Sequence, residues 1–438
     1  MPLGGGKRNS ALAFKPASGR DMSSETAAWG IAVFTTAAVI ARPWNLPEAI
    51  WAVAGAILLV AFGLVPVGSA LEGIAKGADV YLFLIGMMVL AELARQESLF
   101  DWLAGQAVAH ARGSPRRLFA LIYGVGTIVT TFLSNDATAV VLTPAVYAAA
   151  RAAGAEPAPY LLICAFIANA ASFVLPISNP ANLVVFGAAM PPLPIWLARF
   201  APPSLASIVT TYFVLRFVLR DQLKGVLDAA PETTALTFGG RLAGIGIAAT
   251  GLALIGASAI GWRLGLPTFL AGAITAALIL VGARRSPWPI VKGVSWSVLP
   301  LVAGLFVLVE ALQQTGAIAL LARGVEQFSA KSIPLASAGA GSLVALACNL
   351  MNNLPVALIV GSTVAGDGLP HSLVGASLIG VDLGPNLSIA GSLATILWLV
   401  ALRREGESFS AWRFLRLGAF VMPASLGAAL IALIWISG

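Results

Sequence analysis

The 438-residue chain is 58% hydrophobic and only 10% charged, where soluble domains carry about 25% charge. That composition excludes an ordinary soluble enzyme. The net charge of +7 lies between apolar runs rather than in an aromatic-basic cluster, so it reads as a membrane-topology signal and excludes nucleic acid as a partner.

In chain order, residues 1–24 form a polar tail with Lys7, Arg8, Lys15 and Arg20. The apolar run after it is too long for the core of a cleaved signal. Runs of about 20 apolar residues match the thickness of a bilayer's hydrocarbon core. Crossing candidates fall at about 26–42, 47–66, 80–95, 158–176, 202–219, 241–260, 266–283, 296–313, 372–400 (broken) and 417–437. Two further apolar stretches, 116–150 and 335–366, carry polar residues at their middles and read as re-entrant hairpins. The expected fold is an all-α polytopic membrane protein with about ten transmembrane helices and two helical hairpins. Cys164 and Cys348 lie in apolar stretches without CxxC spacing. They read as small fillers, so no disulfide framework, metal site or cofactor is expected.

The polar linker 220–240, with Arg220, Asp221, Lys224, Asp228 and Glu232, divides the chain into transmembrane repeats 25–219 and 241–438. Landmarks recur at a near-constant offset. Glu92 and Glu310 are 218 positions apart, and so are Asn135 and Asn353. Leu46-Pro47 and Leu266-Pro267 differ by 220, and Lys76-Gly77 and Lys292-Gly293 by 216. Each half then reads as three spans, an amphipathic stretch (98–112 and 316–330), a hairpin and two more spans. Five crossings per half make the second copy enter from the opposite side, an inverted-topology repeat. Counting Lys and Arg puts 17 on one face and 9 on the other, tail included, which assigns the richer face to the cytoplasm.

In lipid, an unpaired amide, carboxyl or backbone group costs several kcal/mol and survives only beside a cavity or a partner. Four polar breaks meet that condition. Ser134-Asn135-Asp136 interrupts the first hairpin and Asn352-Asn353-Leu354 the second. Ser and Asn are natural caps for a hairpin's second helix, and Pro355 suits a helix start. Asp136 is not explained by capping, because an intramembrane carboxyl marks an ion or proton path. The other breaks are Pro176-Ile177-Ser178-Asn179-Pro180 and Asp382-Leu383-Gly384-Pro385-Asn386-Leu387-Ser388. Two prolines four residues apart cannot both sit in an unbroken helix. Substrate contact is expected from Ser134, Asn135, Ser178, Asn179, Asn352, Asn353, Asn386 and Ser388. Proton coupling is expected from Asp136, with Asp382, Glu92 and Glu310 as further candidates. Glu92 and Glu310 lie near span ends, where snorkelling or a bond to a neighbouring helix explains them equally well. Asn169 and Ser172 read equally well as glue between helices.

On SNDATAVVLTP (134–144), MNNLPVAL (351–358) and VDLGPNLSIAGSLATILWL (381–399), the chain resembles the ArsB family of arsenite/antimonite efflux permeases. That family belongs to the ion-transporter superfamily, with NhaD-type antiporters and dicarboxylate carriers. The resemblance covers nearly all of 26–437. It implies a multi-pass protein of the plasma (inner) membrane that exports trivalent arsenic and antimony hydroxides. The family's export is driven by the proton gradient or energised by an ArsA-type ATPase partner. The chain itself has no Walker A motif, so it is not expected to be an ATPase. One departure stands out: many arsenite permeases have Lys where this chain has Asn386, followed by Thr-Pro where it has Ser388-Ile389. Arsenous acid is neutral, compact and rich in hydroxyls, which amides and hydroxyls satisfy without formal charge. A sodium/proton antiporter with Asp136 and Asp382 as ligands is the first alternative, and a dicarboxylate or citrate carrier the second. The latter needs cations near the substrate, and neither hairpin tip has one. A channel or scaffold fits the inverted repeat poorly.

Overall fold

A computed structural model describes residues 22–41, 43–187, 190–228, 235–316, 323–324, 327, 329–364 and 369–437. Most of the expected tail, linker positions 229–234 with Glu232, much of the stretch 316–330 and positions 365–368, at and just past the end of the second hairpin, lie outside the described residues. Every regular element among the described residues is helical.

The first half runs α1 (Met22–Ala41), α2 (Glu48–Ala61), α3 (Val67–Lys76), α4 (Ala78–Gln96), α5 (Leu99–Ala111) and α6 (Pro115–Phe132). It continues through α7 (Asn135–Ala137), a π-turn at Thr138–Leu142, α8 (Thr143–Ala152), α9 (Ala158–Ala170), α10 (Pro180–Phe186) and α11 (Leu193–Val218). The second half runs α12 (Phe238–Ala259), α13 (Gly265–Ala283), α14 (Trp288–Gly293), α15 (Val298–Gln314) and α16 (Ile333–Met351). It ends with α17 (Asn353–Val364), α18 (His371–Leu383), α19 (Leu393–Arg404) and α20 (Ala411–Ser437).

Among the described residues five helices, α11, α12, α13, α16 and α20, are each long and apolar enough to cross a membrane, and a sixth span arises if α3 and α4, bent by 46°, count as one. The sequence leads one to expect about ten, and breakage accounts for much of the difference. α9 has 13 residues and α10 has 7. At 1.5 Å per residue neither reaches across a hydrocarbon core of about 30 Å. Together they match the expected 158–176 span and its continuation, opened at Pro176 and Pro180. α18 and α19, broken at Gly384-Pro385, do the same for 372–400. The hairpins appear as α6 with α7–α8, and α16 with α17. In the first, Pro144 cannot donate to the ladder, and the turn before it widens to a π-turn in which Thr143 Oγ1 donates to the Thr138 carbonyl at 3.3 Å.

The halves pack reciprocally. α2 lies on α15 while α13 lies on α4; α10 packs on α17 while α19 packs on the π-turn of the first hairpin; and α11 packs along α20. Two glycines 218 positions apart permit the first exchange. A Cβ on Gly86 would lie 2.4 Å from the Thr268 carbonyl oxygen, and one on Gly304 2.7 Å from that of Ala52. Only a residue without a side chain allows backbones that close.

Candidate functional site

Ser134 caps the helix it precedes, accepting from the Ala137 amide at 3.2 Å. The Asn135 carbonyl oxygen accepts from the Asp136 amide at 2.9 Å, which fixes the Asn135 head and leaves its amine to turn elsewhere. Thr130 and Thr138 join the hairpin's two arms through their hydroxyls at 2.8 Å. In the second hairpin the chain turns at Asn352, whose φ of 69° and ψ of 154° place it in a region that glycine alone adopts without strain. Two bonds hold it there: its amine donates to the Ala390 carbonyl at 3.3 Å, and its oxygen accepts from the Leu354 amide at 3.4 Å. The Asn353 side chain makes no hydrogen bond within the described residues, although the residue is only 2% exposed.

These tips meet. Asn135, Asp136, Asn353 and Leu354 line one small pocket with Asn179 and Pro180 from the first broken span and Leu393 and Ala394 from the second. Among the described residues the pocket has no cationic side chain. Adjoining it at Asp136 and Pro180 is a cavity of about 720 Å³, which Ser134 also lines. Its walls carry three cations (Arg95, Lys292 and Arg404), and with Asp136 it holds four acidic groups, the others being Glu92, Asp101 and Glu405. Asp136 is thus common to the inner pocket and the outer cavity. It is half-buried and makes no ion pair among the described residues.

The remaining candidates separate by location. Glu92 lines the cavity wall and is gripped by Arg95 through bonds of 2.7 and 2.5 Å, with Gln96 donating at 2.7 Å. Glu310 lies outside both cavities, paired with Lys76 at 2.7 Å. Ser178 is buried and donates to the Thr131 carbonyl at 2.9 Å, fixing the broken span to the first hairpin. Asn386 faces away from the pocket, accepting from Asn169 Nδ2 at 3.0 Å and donating to the Phe166 carbonyl at 3.2 Å. Ser388 donates to Asn349 Oδ1 at 2.7 Å. Asp382 is 0% exposed, and its Oδ1 accepts from Ser172 Oγ and, at 2.6 Å, from Asn179 Nδ2.

A second layer, only partly legible in the sequence, supports the site. Asn179 caps α10, accepting from the Ala181 amide at 3.0 Å, and reaches Asp382 on the other half. Ser392 caps α19, accepting from the Thr395 amide at 3.1 Å, and reaches Asn169 on the other half at 3.4 Å. Asn169 and Asp382 are 213 positions apart, and so are Asn179 and Ser392. Each broken span therefore uses the cap of its second helix to hold the last turn of the opposite half's first segment. Asn349, Ser392 and Thr395 escape sequence reading because each sits singly among apolar residues, though Ser392 does precede a helix start as a cap should.

The citrate transporter family model (CitMHS) matches residues 32–380. The chain belongs to that family. It is 27% identical to the arsenical pump membrane protein of Escherichia coli K12, over 93% of this chain and 97% of the relative. An arsenical pump membrane protein of Yersinia enterocolitica is likewise 27% identical, over 80% of this chain and 84% of the relative. An uncharacterized transporter of Mycobacterium tuberculosis is 26% identical over 81% and 85%. Two solved structures share the fold. The YdaH transporter of Alcanivorax borkumensis superposes with a TM-score of 0.55 at 16% identity, covering 84% of this chain and 87% of that one. MtrF of Neisseria gonorrhoeae gives 0.51 at 14%, covering 88% and 84%. The chain is thus a multi-pass membrane transporter that resembles the ArsB permeases over nearly its whole length.

Proposed function

We propose that this transporter exports the neutral trihydroxides of arsenic and antimony across the plasma (inner) membrane, in exchange for protons, between two inverted-topology repeats. The observation that carries the reading is the inner pocket: two hairpin amides, a capping amide and one carboxyl, with no cation. The pocket holds only about 10 Å³ in this conformation, so a hydroxyl-rich neutral solute meets these donors and acceptors from the adjoining 720 Å³ cavity, and it needs no counter-charge. The relatives named as arsenical pumps support the same substrate.

The family model's name favours citrate, and the three cations on the cavity walls favour an anion. Those cations are offset by four acidic groups in the same cavity, and a polyanion at the pocket would face Asp136 unshielded, where repulsion is stronger than in water. The neutral substrate is preferred on that ground.

Asp136 is the coupling group in this reading. Substrate and proton compete for one pocket, so loading from the cytoplasm displaces the proton that the gradient supplied from outside. Asp136→Asn keeps a neutral head and cannot exchange the proton. In proteoliposomes with an imposed pH difference, it should bind arsenite yet fail to accumulate it. Uphill accumulation by the variant would remove Asp136 from coupling. In an efflux-deficient cell the wild-type chain should restore arsenite resistance, and citrate-driven growth without such resistance would favour the other substrate.

A further inference from the structure

The hydrogen count at the crossing of the broken spans does not close. Ser172 Oγ contacts two oxygens, the Asn169 carbonyl at 2.8 Å and Asp382 Oδ1. A serine hydroxyl has one hydrogen, and an ionised carboxylate and a carbonyl are both acceptors only. One of the two contacts therefore lacks a proton if Asp382 is charged. Asn179 cannot supply it: its oxygen is held by the Ala181 amide, and its amine already points at the same Oδ1. Among the described residues Asp382 Oδ2 is buried with no partner, and so is Asn182 Oδ1, whose Nδ2 donates to the Ser172 carbonyl at 2.8 Å.

The geometry points to a second proton-binding site: Asp382 is a neutral carboxylic acid in this conformation, donating to Ser172 Oγ while Ser172 donates to the Asn169 carbonyl. The added proton completes the chain Asp382–Ser172–Asn169 and removes a buried charge that has no counter-ion. No Lys or Arg on a packed element faces it. α9, α10, α16 and α17 contain none, and on α20 Arg413 stacks on Phe409 while Arg416 is exposed. The titratable groups on those elements are Cys348, whose thiol lies on the Gly380 and Val381 carbonyls at 3.9 and 3.8 Å, and Tyr160 and Cys164, which bond backbone on their own side. Asp382, Ser172 and Asn169 line neither cavity, and Asn179 separates them from the inner pocket, which it borders. Its proton can leave only when the turn bearing Ser178 and Asn179 moves off α18, so it locks the two halves together, separately from any exchange at Asp136.

Infrared spectroscopy of the full-length protein in liposomes at neutral pH tests this without reading transport, so it is independent of the substrate. The Asp136→Asn variant, grown with carbon-isotope-labelled aspartate, should show an isotope-shifted protonated-carboxyl band. Adding Asp382→Asn, which preserves shape and a neutral head, should abolish it. Absence of the band in Asp136→Asn, or its persistence in the double variant, overturns the proposal. Should the double variant fail to fold, Ser172→Ala in the Asp136→Asn background gives a second reading. The band should then move in frequency as its acceptor is lost, and an unmoved band overturns the proposal equally.

Discussion

Asn353 offers the clearest single-residue test of the pocket, because the residue lines it and its side chain bonds nothing within the described residues. Asn353→Ala should raise the apparent KM for arsenite by about 2- to 13-fold, the equivalent of one net hydrogen bond worth roughly 0.5–1.5 kcal/mol. Thermal stability should hardly change. Asn135→Ala should cost affinity and some stability together, since Asn135 also holds the Asp136 amide. Uptake assays beside melting curves separate the two, and an unchanged KM in both variants would empty the pocket of its proposed role. At this scale the sequence is informative wherever a polar residue has no cheap reason to be in lipid: Ser134, Asn135, Asp136 and Asn353 all lie at the cavity. It is less informative where a polar residue is paid for locally. Asn386 and Ser388 look like ligands, yet their bonds run to Asn169, Phe166 and Asn349.

Among elements, the hairpin turns and the close crossings are the sensitive points. Asn352 holds a strained backbone that costs about 1–3 kcal/mol, offset by its bonds to Ala390 and Leu354. Asn352→Gly should keep the melting temperature close to the wild type, trading those bonds for relief of strain, whereas Asn352→Leu loses both and should melt earlier. Equal melting of the two variants would mean that the turn is not strained. At the crossings, Gly86→Leu and Gly304→Leu must push α4 from α13 and α15 from α2. Overpacking of a tight contact costs about 1–3 kcal/mol, and detergent-solubilised protein should aggregate or melt earlier in each case. The helices themselves are legible from apolar runs and the breaks from paired prolines. The length of each segment is not, because where an opened span resumes its helix depends on caps such as Asn179 and Ser392 that reach across to the other half.

For the whole molecule, reciprocal packing ties the faces of the two halves together. The Leu227 amide donates to the Gly113 carbonyl at 2.9 Å and the Asp228 amide to that of Ala153 at 3.0 Å, so the start of the linker lies against the ends of α5 and α8, next to Arg112 and Arg151. Arg285 pairs with Glu97 at 2.8 Å, bringing the α13–α14 connection to the end of α4. The 720 Å³ cavity opens among Arg95, Lys292 and Arg404, three of the 17 Lys and Arg residues that the count assigns to the richer face. Lys76 pairs instead with Glu310, and Trp29 Nε1 donates to Thr315 Oγ1 at 2.8 Å, grouping α1, α3 and the end of α15. If cations stay on the cytoplasmic side, the cavity opens inward, the side from which the proposed export would load. Cys164 and Cys348 are fully buried, so single added thiols report cleanly. In intact cells, a membrane-impermeant maleimide should label Lys331→Cys and leave Arg116→Cys and Glu407→Cys unmodified; in inverted vesicles the pattern should reverse. Val400→Cys on the cavity wall should label from the cytoplasmic side and be protected by arsenite. Labelling of Arg116→Cys and Lys331→Cys from the same side would rule out the inverted arrangement, and with it a common inward-facing entrance for the two hairpin tips.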